Sequence, residues 1–550
     1  MKKTKLVTTA ITLALGLSLI PCSPVSAAGK VKLSEKNFPD KGFRKRVAEV
    51  FDKNGDGYLS STEISKVKDL FCYSDSKIAD ITGIEYLTSL NKFYIESDVL
   101  KKYDFSKNNT IKFLAVRADI SSIDLSKNTN LEDLWMDGKK LQSLDLSKNT
   151  NLKDLLVTAG DGYSAVKTVK LPEGSKLESI VICSNKLESL DVSKVNGLKS
   201  IKIQGVYEKF NELVLGSKKT LKELSVYGGI SSLDFSKCPN LEKLDLQTTQ
   251  MTSIDLSKNK KLKYLDMYGV KTEVVDISSN QKLSIVDIDF NTTKVLKVSC
   301  GQKFNSPYLG GSETTYSSSD KNIFTAKTLS KQADGHAGYA LAFEAKKTGE
   351  ATLDVKWEDY DDSIKIRVKV LYKDVTNKSD FWYEPTYALS DAGIVKGYNS
   401  QTEFRPANEC TRAQMVTFLW RLAGSPSPKA KKTDFKDVNS SDYFFKAVIW
   451  AVEQGITTGV SKEKFDPQGV CTRAQTVTFL WRMAGKPQPK TTTCKFSDVK
   501  SSDYFFKATI WASEKKIVAG YSDGTFQPKG KCLRRQMVTF LYKYSKNAAG

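Results

Sequence analysis

The strongest constraint on this chain is a short phrase that returns every 20 or 21 residues over much of its length. Its variants include IDLSKNTN, LDLSKNTN, LDFSKCPN and IDLSKNKK, and they lie between residues 76 and 291. Leucines recur at fixed offsets inside each copy, and a period of this length with such leucines is typical of leucine-rich repeats. The pattern therefore predicts a leucine-rich repeat solenoid over residues 76–291, as one part of a multidomain α+β chain.

The stacked strands of such a solenoid are predicted to form its binding face. One repeat cannot bury its own apolar side, so the repeats must stack, and the stack needs a cap at each end. Aromatic side chains beside acids on the strand face suit a sugar or a protein partner, and a merely solvated sheet surface is the alternative. The predicted face comprises Trp135, Asp137, Tyr227, Asp245, Asp266, Tyr268 and Asp287.

Ahead of the repeats, the segment DKNGDGYLSSTE has the ligand spacing of a calcium loop. Gly57, at the sixth place, permits the sharp turn that such a loop needs. Apolar residues at helical spacing lie on both sides, so residues 31–75 are predicted to form a helical cap. A lone loop indicates structural calcium and not a sensor, and a solvated acidic turn is the alternative. The predicted oxygen ligands are Asp52, Asn54, Asp56, the Tyr58 carbonyl, Ser60 and Glu63.

A calcium loop followed by LDLSKNT repeats resembles the secreted leucine-rich repeat surface proteins of Firmicutes, over about residues 38–291. The resemblance implies an EF-hand-like cap and a solenoid whose strand face carries the variable positions. Residues 292–372 alternate apolar and polar side chains instead, as in GEATLDVKWED and DSIKIRVKVLY. That stretch is similar to bacterial immunoglobulin-like modules, which implies a β-sandwich spacer.

A second repeat fills the C-terminal third, with copies over residues 373–424, 435–485 and 496–547. Their helix starts read CTRAQMVTFLW, CTRAQTVTFLW and CLRRQMVTFLY, and the copies also share FKDV, FSDV and YSDGTFQP. These motifs identify the three copies as members of the S-layer homology family. The resemblance implies all-α repeats in a pseudo-threefold arrangement. It also implies that anionic, often pyruvylated, secondary cell-wall polysaccharide binds in grooves between the copies.

The resemblance assigns three sets of residues to these grooves. By position, a guanidinium that pairs with ligand carboxylates belongs to each copy, glycines let the backbone approach, and aromatic rings form a wall. The alternative is that the arginines only form salt bridges within the trimer. Copy three departs from the others at Leu533 and Arg535, which puts its groove in question. The assigned residues are Arg412, Arg473 and Arg534; Gly397, Gly459 and Gly520; and Phe381, Tyr443 and Tyr504.

Catalytic motifs are missing from the sequence. Its only histidine is His336, which excludes histidine-based triads and multi-histidine zinc sites. No GxSxG elbow, P-loop or dinucleotide fingerprint stands in the required context. The cysteines lack metal-type CxxC pairs, and Cys410, Cys471 and Cys532 recur at one phase, so buried small hydrophobes are favoured over disulfides. We therefore expect a non-enzyme.

The first 28 residues predict export. MKKTK precedes an apolar run and a small-residue cleavage site, which is the layout of a signal peptide. No later run is long enough to span a membrane. From Lys373 to the end, 28 Lys and Arg face 16 Asp and Glu, so this part should bind wall polyanions, and no nucleic-acid-binding motif is present. We expect an adhesin-like protein on the cell wall of a Gram-positive-type bacterium; the alternative is a self-associating S-layer component.

Overall fold

The structure is a computed structural model that describes residues 29–74, 77–159, 162–205, 209–307, 314–329, 340–357 and 363–548. The predicted signal peptide and His336 lie outside the described residues. The chain forms two compact units, which we call unit 1 (residues 1–177) and unit 2 (residues 178–550). Within the described residues, no helix combines the length and apolar character needed to cross a membrane.

Unit 1 begins with two short helices that flank the acidic loop, α1 (Lys41–Phe51) and α2 (Ser61–Lys66). Asp40 caps α1 by accepting a hydrogen bond from the Phe43 N–H, and Ser60 caps α2. A 3-10 turn follows at Ile84–Tyr86. The strands are β1 (Val31–Lys32), β2 (Tyr58–Leu59), β3 (Asp69–Cys72), β4 (Lys92–Ser97), β5 (Phe113–Ala118), β6 (Asp133–Asp137), β7 (Ser143–Asp145), β8 (Asp154–Thr158) and β9 (Thr168–Lys170).

The main sheet of unit 1 is a parallel stack. Strands β3, β4, β5, β6 and β8 pair in sequence, and leucines of successive repeats stand opposite each other, as Leu114 does with Leu134 and Leu134 with Leu155. On the returning side, β7 pairs in parallel with β9. All three leucines are buried. The prediction of a stacked leucine-rich β-solenoid is confirmed.

A ladder of buried asparagine side chains connects successive repeats. Asn128 is fully buried, and its Nδ2 donates to the carbonyls of Phe105 and Asn108 in the preceding repeat, at 2.9 and 3.0 Å. Asn149 repeats the pattern with Leu125 and Asn128. Each side chain therefore satisfies two buried carbonyls that no strand partner reaches.

Unit 2 carries further repeats, a β region and the helical copies. A 3-10 turn lies at Phe235–Lys237. The strands are β10 (Ser179–Ser184), β11 (Ser189–Asp191), β12 (Ser200–Gly205), β13 (Glu212–Val214), β14 (Glu223–Tyr227), β15 (Lys243–Asp245), β16 (Tyr264–Met267), β17 (Val274–Asp276), β18 (Ile285–Ile288), β19 (Val295–Ser299), β20 (Lys303–Pro307), β21 (Thr314–Ser318), β22 (Phe324–Leu329), β23 (Ala340–Ala345), β24 (Gly349–Trp357) and β25 (Ser363–Leu371).

The β region after residue 292 is continuous with the repeats of unit 2, whereas the sequence predicted a separate spacer. Strand β20 extends the repeat sheet by pairing in parallel with β18, and β19 pairs in parallel with both β17 and β25. Antiparallel β23 and β22 complete one layer, and β24 and β21 complete the other. Because the last repeat would otherwise expose unpaired strand edges, these strands serve as its cap.

Each of the three C-terminal copies contains two helices. They are α3 (Tyr383–Asp391) and α4 (Arg412–Leu422), α5 (Phe445–Glu453) and α6 (Arg473–Met483), and α7 (Phe506–Glu514) and α8 (Arg534–Asn547). The first helix of each copy packs on the second helix of another copy: α5 on α4, α7 on α6, and α3 on α8. The three second helices also contact one another, so one apolar core serves all three copies.

Three cysteines close this arrangement through their backbones. The N–H of Cys410 donates to the Cys532 carbonyl at 2.9 Å, that of Cys471 to Cys410 at 2.9 Å, and that of Cys532 to Cys471 at 2.8 Å. Their thiols are free and fully buried, as predicted. Burial raises the pKa of the Cys471 thiol to about 12, so it stays protonated and behaves as a small apolar group.

Candidate functional site

The three arginines assigned to the grooves are buried, with only 4%, 3% and 2% of Arg412, Arg473 and Arg534 exposed. Each begins a helix and reaches into the loop of another copy. The Nε of Arg412 donates to the Phe465 carbonyl at 2.9 Å, and those of Arg473 and Arg534 donate to the equivalent carbonyls of Phe526 and Phe404. The guanidinium groups thus join the copies to one another.

Aromatic rings surround each guanidinium. Arg534 lies over the rings of Phe404 and Phe418 at 4.4 and 5.8 Å, and Arg473 lies over Phe526 at 4.7 Å. Burial lowers the pKa of Arg473 and of Arg412. The alternative of salt bridges is not what the described residues show, because backbone carbonyls and aromatic faces are the partners and no ion pair involves these arginines.

An exposed aromatic ring stands at the start of the first helix in each copy. Phe381, Tyr443 and Tyr504 are 59%, 61% and 64% exposed. Each packs edge to face on the aromatic residue that follows it, at centroid distances of 4.8 to 5.1 Å. Rings held in this way keep one face open to a ligand without losing much conformational freedom. The predicted aromatic wall therefore exists as three equivalent, accessible rings.

The three assigned glycines contact their own chain closely. A Cβ on Gly397 would lie 2.4 Å from the Tyr372 ring and 2.5 Å from the Glu403 carbonyl. Gly459 and Gly520 have the same surroundings, formed by a Phe ring and a hairpin carbonyl. Glycine is thus needed at these positions for packing inside the copy, whereas the sequence interpretation had assigned it to contact with a ligand.

The acidic loop at residues 52–63 is organised by one glycine and several hydrogen bonds. Gly57 has φ of +76°, a conformation that favours glycine. Asp52 Oδ1 accepts from the Gly55 and Asp56 N–H groups at 2.8 and 3.1 Å, and its Oδ2 accepts from Gly57 at 2.9 Å. Glu63 Oε2 accepts from the Ser60 hydroxyl at 2.7 Å. The loop oxygens are thus held by internal hydrogen bonds.

Lys30 adds a positive charge beside this loop. Its Nζ donates to Asp56 Oδ2 at 2.7 Å, and this hydrogen bond lowers the pKa of Asp56. The donor set of carboxylates, one amide, one hydroxyl and one carbonyl suits Ca²⁺. Across the ranges that the structure describes, however, no three His, Cys, Asp or Glu side chains are grouped so that they could hold a metal ion. The chemistry of the donors fits calcium, while their side chains do not converge.

The strand face of unit 1 contains a pocket of about 350 Å³. Trp135 lines it, is 45% exposed, and packs edge to face on Phe113 at 5.1 Å. Arg117 lies between Glu96 and Asp137, with nitrogen to oxygen distances of 3.5 and 3.3 Å. The predicted pair of Trp135 and Asp137 is therefore brought together beside an arginine.

The strand face of unit 2 differs from the prediction. Asp245, Asp266 and Asp287 stand in register on β15, β16 and β18, but they are only 6%, 3% and 5% exposed. Half-buried tyrosines cover two of them: Tyr227 donates to Asp245 at 2.5 Å, and Tyr264 donates to Asp266 at 3.2 Å. The three acids of the predicted binding face are therefore buried and Tyr227 is half-buried, with tyrosine hydroxyls bound to two of the carboxylates.

Burial has a strong effect on the last of these acids. Together with the negative charges of Asp266, Asp289 and Asp245, which add to it, burial raises the pKa of Asp287 to about 8. Tyr268 is 51% exposed, as predicted, and its backbone N–H donates to Asp266 Oδ1 at 3.0 Å. Asp287 is therefore largely protonated at neutral pH.

The sequence matches the S-layer homology domain over residues 371–416, 434–477 and 495–538. It is 27% identical over 164 residues to the Cellulosome-anchoring protein of Acetivibrio thermocellus, covering 27% of this chain and 35% of that protein. It is 26% identical to the Exoglucanase XynX of A. thermocellus, covering 32% of this chain and 16% of the enzyme. It is 31% identical to an S-layer protein of Bacillus thuringiensis subsp. finitimus, covering 22% of this chain and 15% of that protein.

The chain therefore spans about a third or less of the length of these relatives. The three matched stretches coincide with the three helical copies, whose arginines and exposed rings are described above. Together, the matched domains and the surface-protein relatives show that the chain is located at the cell surface.

Proposed function

We propose that residues 373–547 anchor the protein non-covalently to an anionic secondary polysaccharide of the cell wall. The observation that carries the proposal is the threefold recurrence of a buried arginine between copies, together with an exposed ring in each copy. A guanidinium can bind both oxygens of a carboxylate, and its charge acts more strongly where water is excluded. The relative named for cellulosome anchoring supports the same role.

A pseudo-threefold arrangement of the copies belongs to this proposal. It is supported by the cyclic hydrogen bonds of Cys410, Cys471 and Cys532 and by the cyclic packing of first helices on second helices. In such an arrangement each groove is built from two copies, and the third copy closes the set.

The anchoring proposal is tested by sedimentation of the full-length mature protein with cell walls of the source bacterium. We expect it to pellet with intact wall and to stay soluble with wall from which acid has stripped the polysaccharide. The double variant Arg412→Ala and Arg473→Ala should lose binding, whereas Arg367→Ala, an exposed arginine of β25, should not. Equal binding to stripped wall would contradict the proposal.

The remaining parts of the protein are proposed to be non-catalytic. The repeats would display a ligand-binding surface, as in an adhesin, and the pocket beside Trp135 and Arg117 is its best-formed part. The β region after residue 292 would act as an immunoglobulin-like module that caps the repeats. Calcium would be a structural ion held by Asp52, Asn54, Asp56, Tyr58, Ser60 and Glu63. Ordered sheets of purified protein would indicate a self-associating S-layer component instead.

A further inference from the structure

The three grooves between the copies differ in one polar contact. In two of them a second guanidinium nitrogen donates to the backbone: Arg473 Nη2 donates to the Ala519 carbonyl at 3.2 Å, and Arg534 Nη2 donates to the Lys396 carbonyl at 2.9 Å. Arg412 has no such contact, and its Nη2 is buried without a hydrogen-bond partner. A buried donor of this kind is rare in folded proteins and favours a partner from outside the chain.

The backbone at Gly459 accounts for this difference. Ala519 and Lys396 precede Gly520 and Gly397, and the equivalent carbonyl for Arg412 belongs to Thr458. Gly459 has φ of +77°, whereas neither of its two counterparts lies in the left-handed region. Its N–H accordingly faces the Thr457 hydroxyl, to which it donates at 3.2 Å. The Thr458 carbonyl then makes no hydrogen bond to Arg412.

An aromatic cover is also missing from the same groove. The ring of Tyr398 lies 4.7 Å from the guanidinium of Arg534, and that of Tyr521 lies 4.9 Å from Arg473. The residue at the equivalent position beside Arg412 is Val460, which is 52% exposed. The guanidinium of Arg412 lies over the rings of Phe465 and Phe479, at 4.9 and 5.7 Å, but valine has no ring that could stand where Tyr398 and Tyr521 do.

Because Val460 replaces a tyrosine in this groove, a glutamine side chain loses its hydrogen-bond partner. Gln414 Nε2 donates to the Tyr398 hydroxyl at 2.7 Å, and Gln536 Nε2 donates to Tyr521 at 3.3 Å. Their counterpart Gln475 has no tyrosine to bind, and only its Oε1 is engaged, by the Thr472 N–H at 2.9 Å. The N–H₂ group of Gln475 is therefore a second donor for a ligand in this groove.

Two guanidinium groups and two carboxylates lie around the groove. Burial raises the pKa of Tyr504, and the guanidinium groups of Arg482 and Arg412 oppose that shift, so both lie near its ring. Two acids, Asp437 and Asp466, also act on Arg412. The carboxylate of Asp437 is already engaged, because its oxygens accept the N–H groups of Phe465 and Asp466 at 2.9 and 2.7 Å.

The geometry points to the groove at Arg412, Val460, Gln475 and Tyr504 as the one of the three that takes a carboxylate of the anionic wall polysaccharide. The inference rests on the proposed anchoring function and narrows it to a single groove. In the other two grooves the carbonyls of Ala519 and Lys396 and the rings of Tyr521 and Tyr398 already occupy the arginines. Those two grooves then serve to hold the copies together.

The test exchanges the covering residue and leaves every arginine in place. Val460→Tyr should restore the aromatic cover on Arg412 and weaken binding of the full-length protein to intact cell wall by about tenfold or more. Tyr398→Val and Tyr521→Val are the matched controls and should leave the affinity within about twofold of the wild type, since the Nη2 groups of Arg534 and Arg473 still donate to the Lys396 and Ala519 carbonyls. Circular dichroism and thermal unfolding verify that each variant is folded.

The possible results distinguish failure of the anchoring function from failure of the groove assignment. Wild-type protein that fails to bind intact wall would overturn the anchoring function and the groove assignment together. Wild-type binding that Val460→Tyr leaves unchanged would overturn the groove assignment alone. Equal losses in Val460→Tyr and in both control variants would also overturn it, because all three grooves would then bind. If Val460→Tyr were to unfold, Gln475→Leu should weaken binding while Gln414→Leu should not, and the reverse result would overturn the assignment.

Discussion

The leucine-rich repeats and the S-layer homology copies both bury an apolar face that one copy cannot cover, but they do so in opposite ways. A leucine-rich repeat contacts only the repeats before and after it, through parallel strands and buried asparagines. The helical copies close on one another, so that Arg534 of the last copy reaches Phe404 of the first. A stack has two ends that need caps, whereas a closed set has none. In a closed set, one copy can also differ from the others while the rest maintain the assembly. The second copy differs in the backbone conformation of Gly459 and in having Val460 where the others have tyrosine.

The largest effect is expected when the closed set is broken. Arg534→Met removes two hydrogen bonds to carbonyls and leaves Phe404 and Lys396 with unpaired buried oxygens. We expect the unfolding free energy of the helical region to fall by about 3 kcal/mol, measured by urea unfolding with tryptophan fluorescence. Arg535→Met, which alters a neighbouring arginine over the Trp382 ring, should cost less than about 1 kcal/mol. Equal losses would contradict the closed arrangement.

A smaller effect is expected when one step of the stack is broken. Asn128→Ala removes two buried hydrogen bonds, to the Phe105 and Asn108 carbonyls, which then keep only the backbone N–H groups of their own turn, and it should lower the unfolding free energy by about 2 kcal/mol. Asn130→Ala removes one exposed hydrogen bond to Asn109 and should cost less than about 0.5 kcal/mol. Thermal unfolding followed by circular dichroism checks both values. A similar shift in both variants would show that the buried ladder does not stabilise the stack.

Proton binding distinguishes the strand face of unit 2 from an ordinary solvated sheet. The pKa of Asp287 is raised from 3.8 to about 8, so the folded state binds the proton more tightly than the unfolded state. Stability from this group is present below pH 4 and is lost as pH rises through 8. Asp287→Asn should therefore increase the unfolding free energy by up to about 5 kcal/mol at pH 9 and have no effect near pH 3.5.

Asp255→Asn is the control of opposite sign. Hydrogen bonds from Ser257 lower the pKa of Asp255, so its charged form stabilises the fold at high pH. The substitution should slightly decrease stability at pH 9. Identical pH profiles for Asp287→Asn and the wild type would contradict the buried state of that acid.

The smallest effect is expected at the cap of the stack. If the acidic loop holds calcium, 1 mM CaCl₂ should raise the midpoint of thermal unfolding relative to EGTA, by an amount worth about 1 kcal/mol. Asp52→Asn should abolish the shift, because Asp52 organises the loop through three backbone N–H groups. Asp104→Asn, in a repeat turn, should leave it intact. A midpoint that does not respond to calcium would contradict the metal assignment.

Much of the fold could be predicted from the regular spacing of the repeats in the sequence. The spacing of LDLSKNT predicts parallel stacking, because it repeats the same apolar contacts at each step. It does not predict the asparagine ladder, because a turn asparagine and a buried one have the same sequence and differ only in the carbonyls that the preceding repeat supplies. The continuity of β18 with β20 was hidden for a similar reason, since strand pairing between distant segments leaves no local signal.

The candidate groove was predicted in part. Motif position identified Arg412, Arg473 and Arg534 correctly as equivalent residues but could not show that they are buried. Nor could it show that only Arg412 lacks a carbonyl partner for its Nη2, since that depends on the backbone conformation of Gly459. One signal was available: Val460 stands where the other copies have Tyr398 and Tyr521. Alignment of the three copies on one another could have marked this groove as different.

Of the three grooves between the helical copies, we infer that only the one at Arg412 binds the cell wall. Titration of the full-length protein with polysaccharide released from the wall, followed by calorimetry, measures how many binding segments each chain takes up. We expect one polysaccharide-binding site per chain, and we expect Val460→Tyr to remove it. Three equivalent sites per chain, or no binding to the released polysaccharide, would contradict it.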